Sequence, residues 1–217
     1  MLKFYYNPRS PMARRVWRYL LEKGIQSEPI LLNLNGDQLK DDYLQINPFH
    51  HVPAIVDNGF RVIESLAILD YLETKYPTPA LLPKNAQALA TVRMVQMIST
   101  NELLPKVIAL IFESEDSPKC LQAKHNIDIV MKFFSDILGD NDYFGGRYLT
   151  LADIVAGTDI SLLPKLGFDF KNYPKVNDWF ERLMQRDVWQ KTELTTEEFE
   201  QFKRVLMIIR QRKMRKD

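Results

Sequence analysis

The sequence predicts two domains of different class, an α/β domain at the N-terminus and an all-α domain after it. Three observations predict this. Within residues 1–76, short apolar runs suited to strands alternate with helical patterns in the order β-α-β, a connection, then β-β-α. Pro77, Pro79 and Pro83 fall within seven residues and mark a linker over 77–85. Beyond residue 85 the strand signals vanish, and 86–217 reads as helices only.

Residues 2–6 (Leu-Lys-Phe-Tyr-Tyr) form an aromatic-rich strand stopped by Asn7-Pro8. Ser10 then stands at an N-cap position, Pro11 at the first helical position, and Met12, Val16, Tyr19 and Leu20 follow at helical spacing up to Gly24. Residues 28–32 read as a second strand and 37–46 as a short helix or loop. Residues 52–56 read as a third strand, Asp57-Asn58-Gly59 as a hairpin turn, and 60–63 as a fourth strand. Ser65 opens a helix carrying Leu66, Ile68, Leu69 and Leu72. The first two strands and their helix make a parallel unit and the last two a hairpin, which is the order of a thioredoxin-like domain. In the second domain, helical patterns cover about 86–113, 118–138, 151–163, 174–187 and 196–213.

Composition excludes several classes. Hydrophobic residues make up 46% and charged residues 26%, the balance of a globular chain. The net charge of +1 gives no global field to attract nucleic acid. Cys120 is the only cysteine, so neither an internal disulfide nor a cysteine-based zinc site can form. The N-terminus lacks a basic region followed by a long apolar core, and no apolar run approaches the ~20 residues of a bilayer span. The expectation is a cytoplasmic protein with no membrane and no nucleic-acid partner.

The candidate chemistry lies in the first domain. Ser10 follows the first strand, where thioredoxin-like folds place a reactive Cys-x-x-Cys. Asn7-Pro8-Arg9-Ser10 has no sulfur, so a thiol acting here must come from a ligand. A helix N-terminus and a hydroxyl both favour a bound thiolate, although a serine there also caps the helix without any catalytic role. Pro53 at a strand start cannot donate to a ladder. A cis bond would suit it, and would leave the Val52 backbone to pair with an extended peptide, whereas an ordinary trans turn proline would do neither. Glu64 before Ser65 at a helix start pairs an acid with a carboxylate-binding N-terminus, which suits the two groups of an α-amino acid; a plain N-cap is the bland alternative. His50 and His51 are adjacent and His125 lies in the other domain, so no metal site is expected. Thr150-Leu-Ala-Asp153 reads as a structural capping box, and the basic residues from Arg210 onward as a solvated helix end.

Taken together, these stretches resemble the cytosolic glutathione transferases, particularly the theta and delta classes. Tyr5-Tyr6-Asn7-Pro8-Arg9-Ser10 looks like their first strand and catalytic turn. The segment from Asn47-Pro48 to Val52-Pro53-Ala54-Ile55, then Glu64-Ser65-x-Ala67-Ile68-x-x-Tyr71-Leu72, the Thr150–Asp153 box and Tyr173-Pro174 follow in family order across nearly the whole chain. The resemblance implies that Ser10 activates the sulfur of glutathione as the catalytic residue. It implies that Val52, before a cis Pro53, pairs with the cysteinyl unit. Glu64 and Ser65 would hold the γ-glutamyl ammonium and carboxylate, and His50 with Gln38 would approach the glycyl carboxylate, with His51 beside them. It implies a homodimer and an electrophile pocket between the domains lined by Met97, Asn101 and Leu104, covered by Phe199, Phe202 and Leu206.

On this reading the protein is a glutathione transferase with a detoxification role and a peroxidase side activity. Glutathione is the co-substrate, a small hydrophobic electrophile the partner, and no cofactor is tightly bound. Three positions depart from the family pattern: Leu66 where delta members carry Arg, Gln38 where they carry His, and His51 where Thr or Lys is usual. The rival reading is a non-catalytic binding or scaffold protein on the same fold, since fold alone does not decide function. A zeta-class isomerase would need a Ser-Ser-Cys turn, and a disulfide reductase a cysteine near Ser10; the chain has neither.

Overall fold

A computed structural model describes residues 1–214 of the chain, so Arg215 and Lys216 of the basic tail lie outside the described residues. Two units emerge: residues 1–76 with 192–217, and residues 77–191.

The first unit is built on a four-stranded sheet in the order β2-β1-β3-β4, with β1 Leu2–Tyr6, β2 Glu28–Leu31, β3 Ala54–Asp57 and β4 Phe60–Ile63. β1 runs parallel to β2 through Tyr6↔Leu31 and antiparallel to β3 through Tyr5↔Ala54. β3 and β4 form the hairpin, with Ala54 opposite Ile63. α1 (Pro11–Glu22) links β1 to β2; its Ser10 N-cap and Pro11 are where the sequence places them, and Gly24 closes it at φ 63°. A 3-10 turn (Asp37–Leu39) and α2 (Asp41–Leu44) occupy the stretch 37–46 that the sequence reads as a short helix or loop, and α3 (Ser65–Lys75) follows β4. β3 begins two residues later than predicted, because Val52-Pro53 is a cis bond outside the ladder. Ala13, Leu32, Tyr43, Val52 and Ala54 form a buried cluster against which Tyr5, Tyr6, Ile46 and Ile63 pack.

Residues 192–217, predicted to belong with the helical domain, group with this first unit. Arg18 on α1 explains the grouping. Its Nε donates to Thr192 Oγ1 at 2.9 Å, and its guanidinium meets the Glu193 carboxylate at 2.8 Å. The helix that follows, Thr196–Met214, buries Phe199 and Phe202.

The second unit is helical throughout. α4 (Ala86–Ile98), a π-helical turn (Ser99–Leu103) and α5 (Leu104–Phe112) replace the one helix predicted over 86–113. Next come α6 (Pro118–Leu138), α7 (Leu151–Ile160), α8 (Pro174–Met184) and α9 (Asp187–Thr192), with α10 the Thr196–Met214 helix already placed. The stretch 86–112 is long and apolar enough to cross a bilayer by length and composition alone. We read it as a core helix, because Val92, Val95, Gln96, Ser99, Leu103 and Val107 are all buried inside the unit. Every residue of α7 is buried, and Asp153 at its start is fully so. The Asp153 carboxylate accepts from Thr150 N–H and Thr150 Oγ1 at 2.7 Å each, Trp179 Nε1 at 2.9 Å and Phe144 N–H at 3.0 Å. Burial pushes its carboxyl above the usual range while these four donors pull it back.

Candidate glutathione site

The strand directions put four segments at one end of the sheet. β1 and β2 are parallel, so their C-terminal ends coincide; β3 starts there and β4 finishes there. Asn7–Ser10, Leu32–Gln38, Val52-Pro53 and Glu64-Ser65 therefore leave or enter the sheet at the same edge. Residues as far apart as Asn7 and Ser65 come to one end of the sheet for that reason alone.

Ser10 is half-buried at the α1 N-terminus, and its Oγ accepts from Ala13 N–H at 3.4 Å. That is longer than the usual 2.7–3.2 Å range, so the hydroxyl is only weakly engaged by its own helix. Pro11 removes one orphan donor of the first turn. The remaining N–H groups and the helix dipole favour an anion beside Ser10.

His50 adopts φ 57° and is exposed, as is His51. The His51 carbonyl accepts from Tyr43 Oη at 2.5 Å and Asn47 Nδ2 at 2.8 Å. Burial pushes the Tyr43 hydroxyl up to about 12, so it stays a neutral donor. Val52 comes next, before cis Pro53, and no turn or loop hydrogen bond engages its main chain among the described residues. Glu64 sits at φ 68°, a left-handed conformation unusual for a residue with a side chain, and heads α3 without a side-chain cap bond. Its side chain is exposed, and Ser65 behind it is buried.

Gln38 reaches the same edge but its amide is engaged locally. Nε2 donates to Leu34 O at 2.7 Å, and Oε1 accepts from Gly36 N–H at 3.2 Å. In the helical unit Met97 and Asn101 are exposed, whereas Leu104 is buried in the core. Tyr43 and Asn47 have no site role in the sequence reading, and Asn7 enters it only within the turn before Ser10, as a substitute should Ser10 not activate the sulfur. The signal was present: the dipeptide Asn-Pro occurs twice, once before Ser10 and once before His50. Among the described residues, no group of three or more His, Cys, Asp or Glu is placed to hold a metal.

A four-stranded sheet in this order, with a cis proline before β3 and two helix N-termini at the same end, defines a thioredoxin-like domain. Comparison with known sequences narrows it. The glutathione S-transferase N-terminal domain family matches residues 4–80, and the glutathione S-transferase C-terminal domain family matches residues 87–187. Glutathione S-transferase D7 of Drosophila melanogaster is 32% identical over 184 residues, covering 82% of each chain. The chain belongs to the glutathione S-transferase family. Among solved structures, isozyme E7 from Drosophila melanogaster superimposes with a TM-score of 0.82 at 25% identity, over 95% of this chain and 96% of that one. A delta-class transferase from Nilaparvata lugens shares the fold at 24% identity, with a TM-score of 0.81 over 96% and 99% of the chains. The delta-like resemblance read from the sequence fits these insect relatives.

Proposed function

We propose that the protein is a glutathione transferase in which Ser10 holds the glutathione sulfur as a thiolate for attack on a small apolar electrophile. The observation that carries this reading is the weakly engaged Ser10 hydroxyl at the α1 N-terminus, at the same sheet edge as Val52, Glu64 and Ser65.

The demand on the site is modest. Bringing a thiol from a pKa of about 8.5 to about 6.5 requires about 2.7 kcal/mol. A hydrogen bond to a charged sulfur contributes about 1.5–3 kcal/mol, and the helix terminus about 0.3–1 kcal/mol. The proton leaves to solvent on ionisation. The thiolate then attacks the electrophilic carbon, a C–S bond forms, and the leaving group departs with its electron pair. Val52 pairs its main chain with the cysteinyl unit beside Pro53. Glu64 meets the γ-glutamyl ammonium, and the α3 N-terminus at Ser65 meets the carboxylate. His50 and His51 approach the glycyl end, while Gln38 shapes the loop beneath them.

Met97 and Asn101 contribute to electrophile binding, with Leu104 supporting them from the core. No resident cofactor is needed. A cytoplasmic homodimer with a detoxification role completes the proposal, supported by the family; sedimentation as a single 25.4 kDa chain at micromolar concentration would count against the dimer. Titrating the thiolate absorbance of bound glutathione in wild type and Ser10→Ala tests the central claim. Equal pKa values remove Ser10 as the activating group. Retention on immobilised glutathione without turnover of aryl halides, isothiocyanates or hydroperoxides would favour a binding protein instead.

A further inference from the structure

The turn that carries Ser10 is one of two built alike. Asn7-Pro8-Arg9-Ser10 and Asn47-Pro48-Phe49-His50 share one hydrogen-bond pattern. In each, the asparagine Oδ1 accepts from the main-chain N–H two residues on, Arg9 at 3.0 Å and Phe49 at 3.0 Å. In each, the asparagine carbonyl accepts from the N–H three residues on, Ser10 at 3.0 Å and His50 at 3.1 Å. In each, Nδ2 donates to a main-chain carbonyl, Leu32 at 2.7 Å and His51 at 2.8 Å. Both asparagines are buried, at 5% and 1% exposure.

We propose that Asn7 is the positioning residue for Ser10, fixing the hydroxyl where the glutathione sulfur meets it. This rests on the reading of Ser10 given above. The Ser10 hydroxyl is not held firmly by its own cap, since that bond is 3.4 Å long. Its location follows from the backbone, and Asn7 holds the backbone. The Asn7 carbonyl takes the Ser10 N–H, Oδ1 takes the Arg9 N–H, and Nδ2 ties the turn to Leu32 just beyond β2. Leu32 N–H in turn donates to Tyr6 O at 2.9 Å, closing a circuit between the ends of β1 and β2. Pro8 has no N–H, so the first donor the turn offers is that of Arg9, and an Asx side chain is the group that reaches it.

The residue type follows from the bonds. Aspartate would keep the turn, but would lose the donor to Leu32 O and place a negative charge three residues from the thiolate. Serine would keep a weaker turn through its hydroxyl and lose the anchor. The short amide side chain supplies an acceptor and a donor in opposite directions.

The test measures four variants, Ser10→Ala, Asn7→Ala, Asn7→Ser and Asn47→Ala, with kcat and thiolate pKa read at saturating glutathione and affinity by calorimetric titration. Asn7→Ala should raise the thiolate pKa by roughly half a unit to one unit and lower kcat about 10- to 100-fold, the scale of a misplaced reacting group. Glutathione affinity should fall much less. Asn7→Ser should recover part of both losses and serves as the readout if the alanine variant does not fold. Asn47→Ala deletes the same pattern from the other turn; it should weaken glutathione binding through the His50–Val52 loop and leave the thiolate pKa in place. If the Asn7 variants match Asn47→Ala, with destabilisation and an unmoved pKa, Asn7 is structural only and the proposal is overturned. If Ser10→Ala moves the pKa and no Asn7 variant does, this inference alone fails. An unmoved pKa in Ser10→Ala overturns the reading of Ser10, and the role of Asn7 falls with it.

Discussion

Among the helix N-termini that carry a hydroxyl residue at the cap, those of α7 and α1 end differently. At α7 the cap is closed: Thr150 and Asp153 form a capping box, Leu151 N–H donates to Leu81 O at 3.0 Å, and the Asp153 carboxylate accepts four hydrogen bonds of 2.7–3.0 Å with no exposed surface. At α1 the cap is open: the single Ser10 bond is 3.4 Å, the first turn has no acidic residue, and the serine is half-buried. α3 resembles α1, because Glu64 makes no side-chain cap bond. A terminus whose donors are satisfied internally has nothing left for a ligand. One left open keeps its N–H groups and dipole available to an anion. The contrast separates a closed folding cap from the terminus proposed to bind glutathione more sharply than either sequence motif does.

Breaking the closed cap should have the largest effect. Asp153→Ala leaves Thr150, Phe144 and Trp179 donors buried without their acceptor, and each such orphan costs about 1–3 kcal/mol. Urea unfolding should show a loss of at least about 3 kcal/mol; a loss below about 1 kcal/mol, the range of an ordinary cap, would erase the distinction between α7 and α1.

At the open termini the effects should appear in ligand binding and chemistry. Glu64→Ala should weaken glutathione binding by about 1–3 kcal/mol through loss of a charged partner, with little change in unfolding. An unchanged dissociation constant by calorimetry removes Glu64 from the site. Ser10→Ala should raise the pKa of bound glutathione by roughly 1–2 units. The same variant should lose no more than about 1 kcal/mol of stability, because the cap bond it deletes is weak. A large stability loss with an unmoved pH–rate profile would make α1 another closed cap.

The opposite end of the sheet sharpens the comparison with a purely structural carboxylate. Asp57, at the end of β3, is buried and accepts from Lys75 and from Tyr71 Oη at 2.8 Å. The Lys75 hydrogen bond, aided by Tyr71, holds its carboxyl below the usual range against the opposing effect of burial. A depressed folded value means the stabilisation is complete above the unfolded carboxylate pKa of about 3.9 and is lost as pH falls through the lower folded value. Asp57→Asn should therefore flatten the acid limb of the stability curve while leaving glutathione affinity at neutral pH intact. An acid limb identical to wild type would show that Asp57 contributes nothing to it.

By itself the sequence determined the order of elements and the caps. Hydrophobic period and local punctuation act over a few residues, so Ser10, Pro11, Gly24 and the Thr150–Asp153 box stand where local chemistry places them. It also marked Val52-Pro53 and Glu64-Ser65 as unusual, because a proline at a strand start and an acid at a helix start each need a reason. Only the tertiary structure decided the rest. The π-helical turn at Ser99–Leu103 arises inside one continuous apolar pattern, where periodicity cannot mark a single widened turn. The grouping of residues 192–217 with the first unit depends on Arg18 meeting Thr192 and Glu193, partners more than 170 positions away that no local signal connects. The bond that anchors the Asn7 turn goes to Leu32, just beyond a neighbouring strand, and it exists only once β1 and β2 are paired.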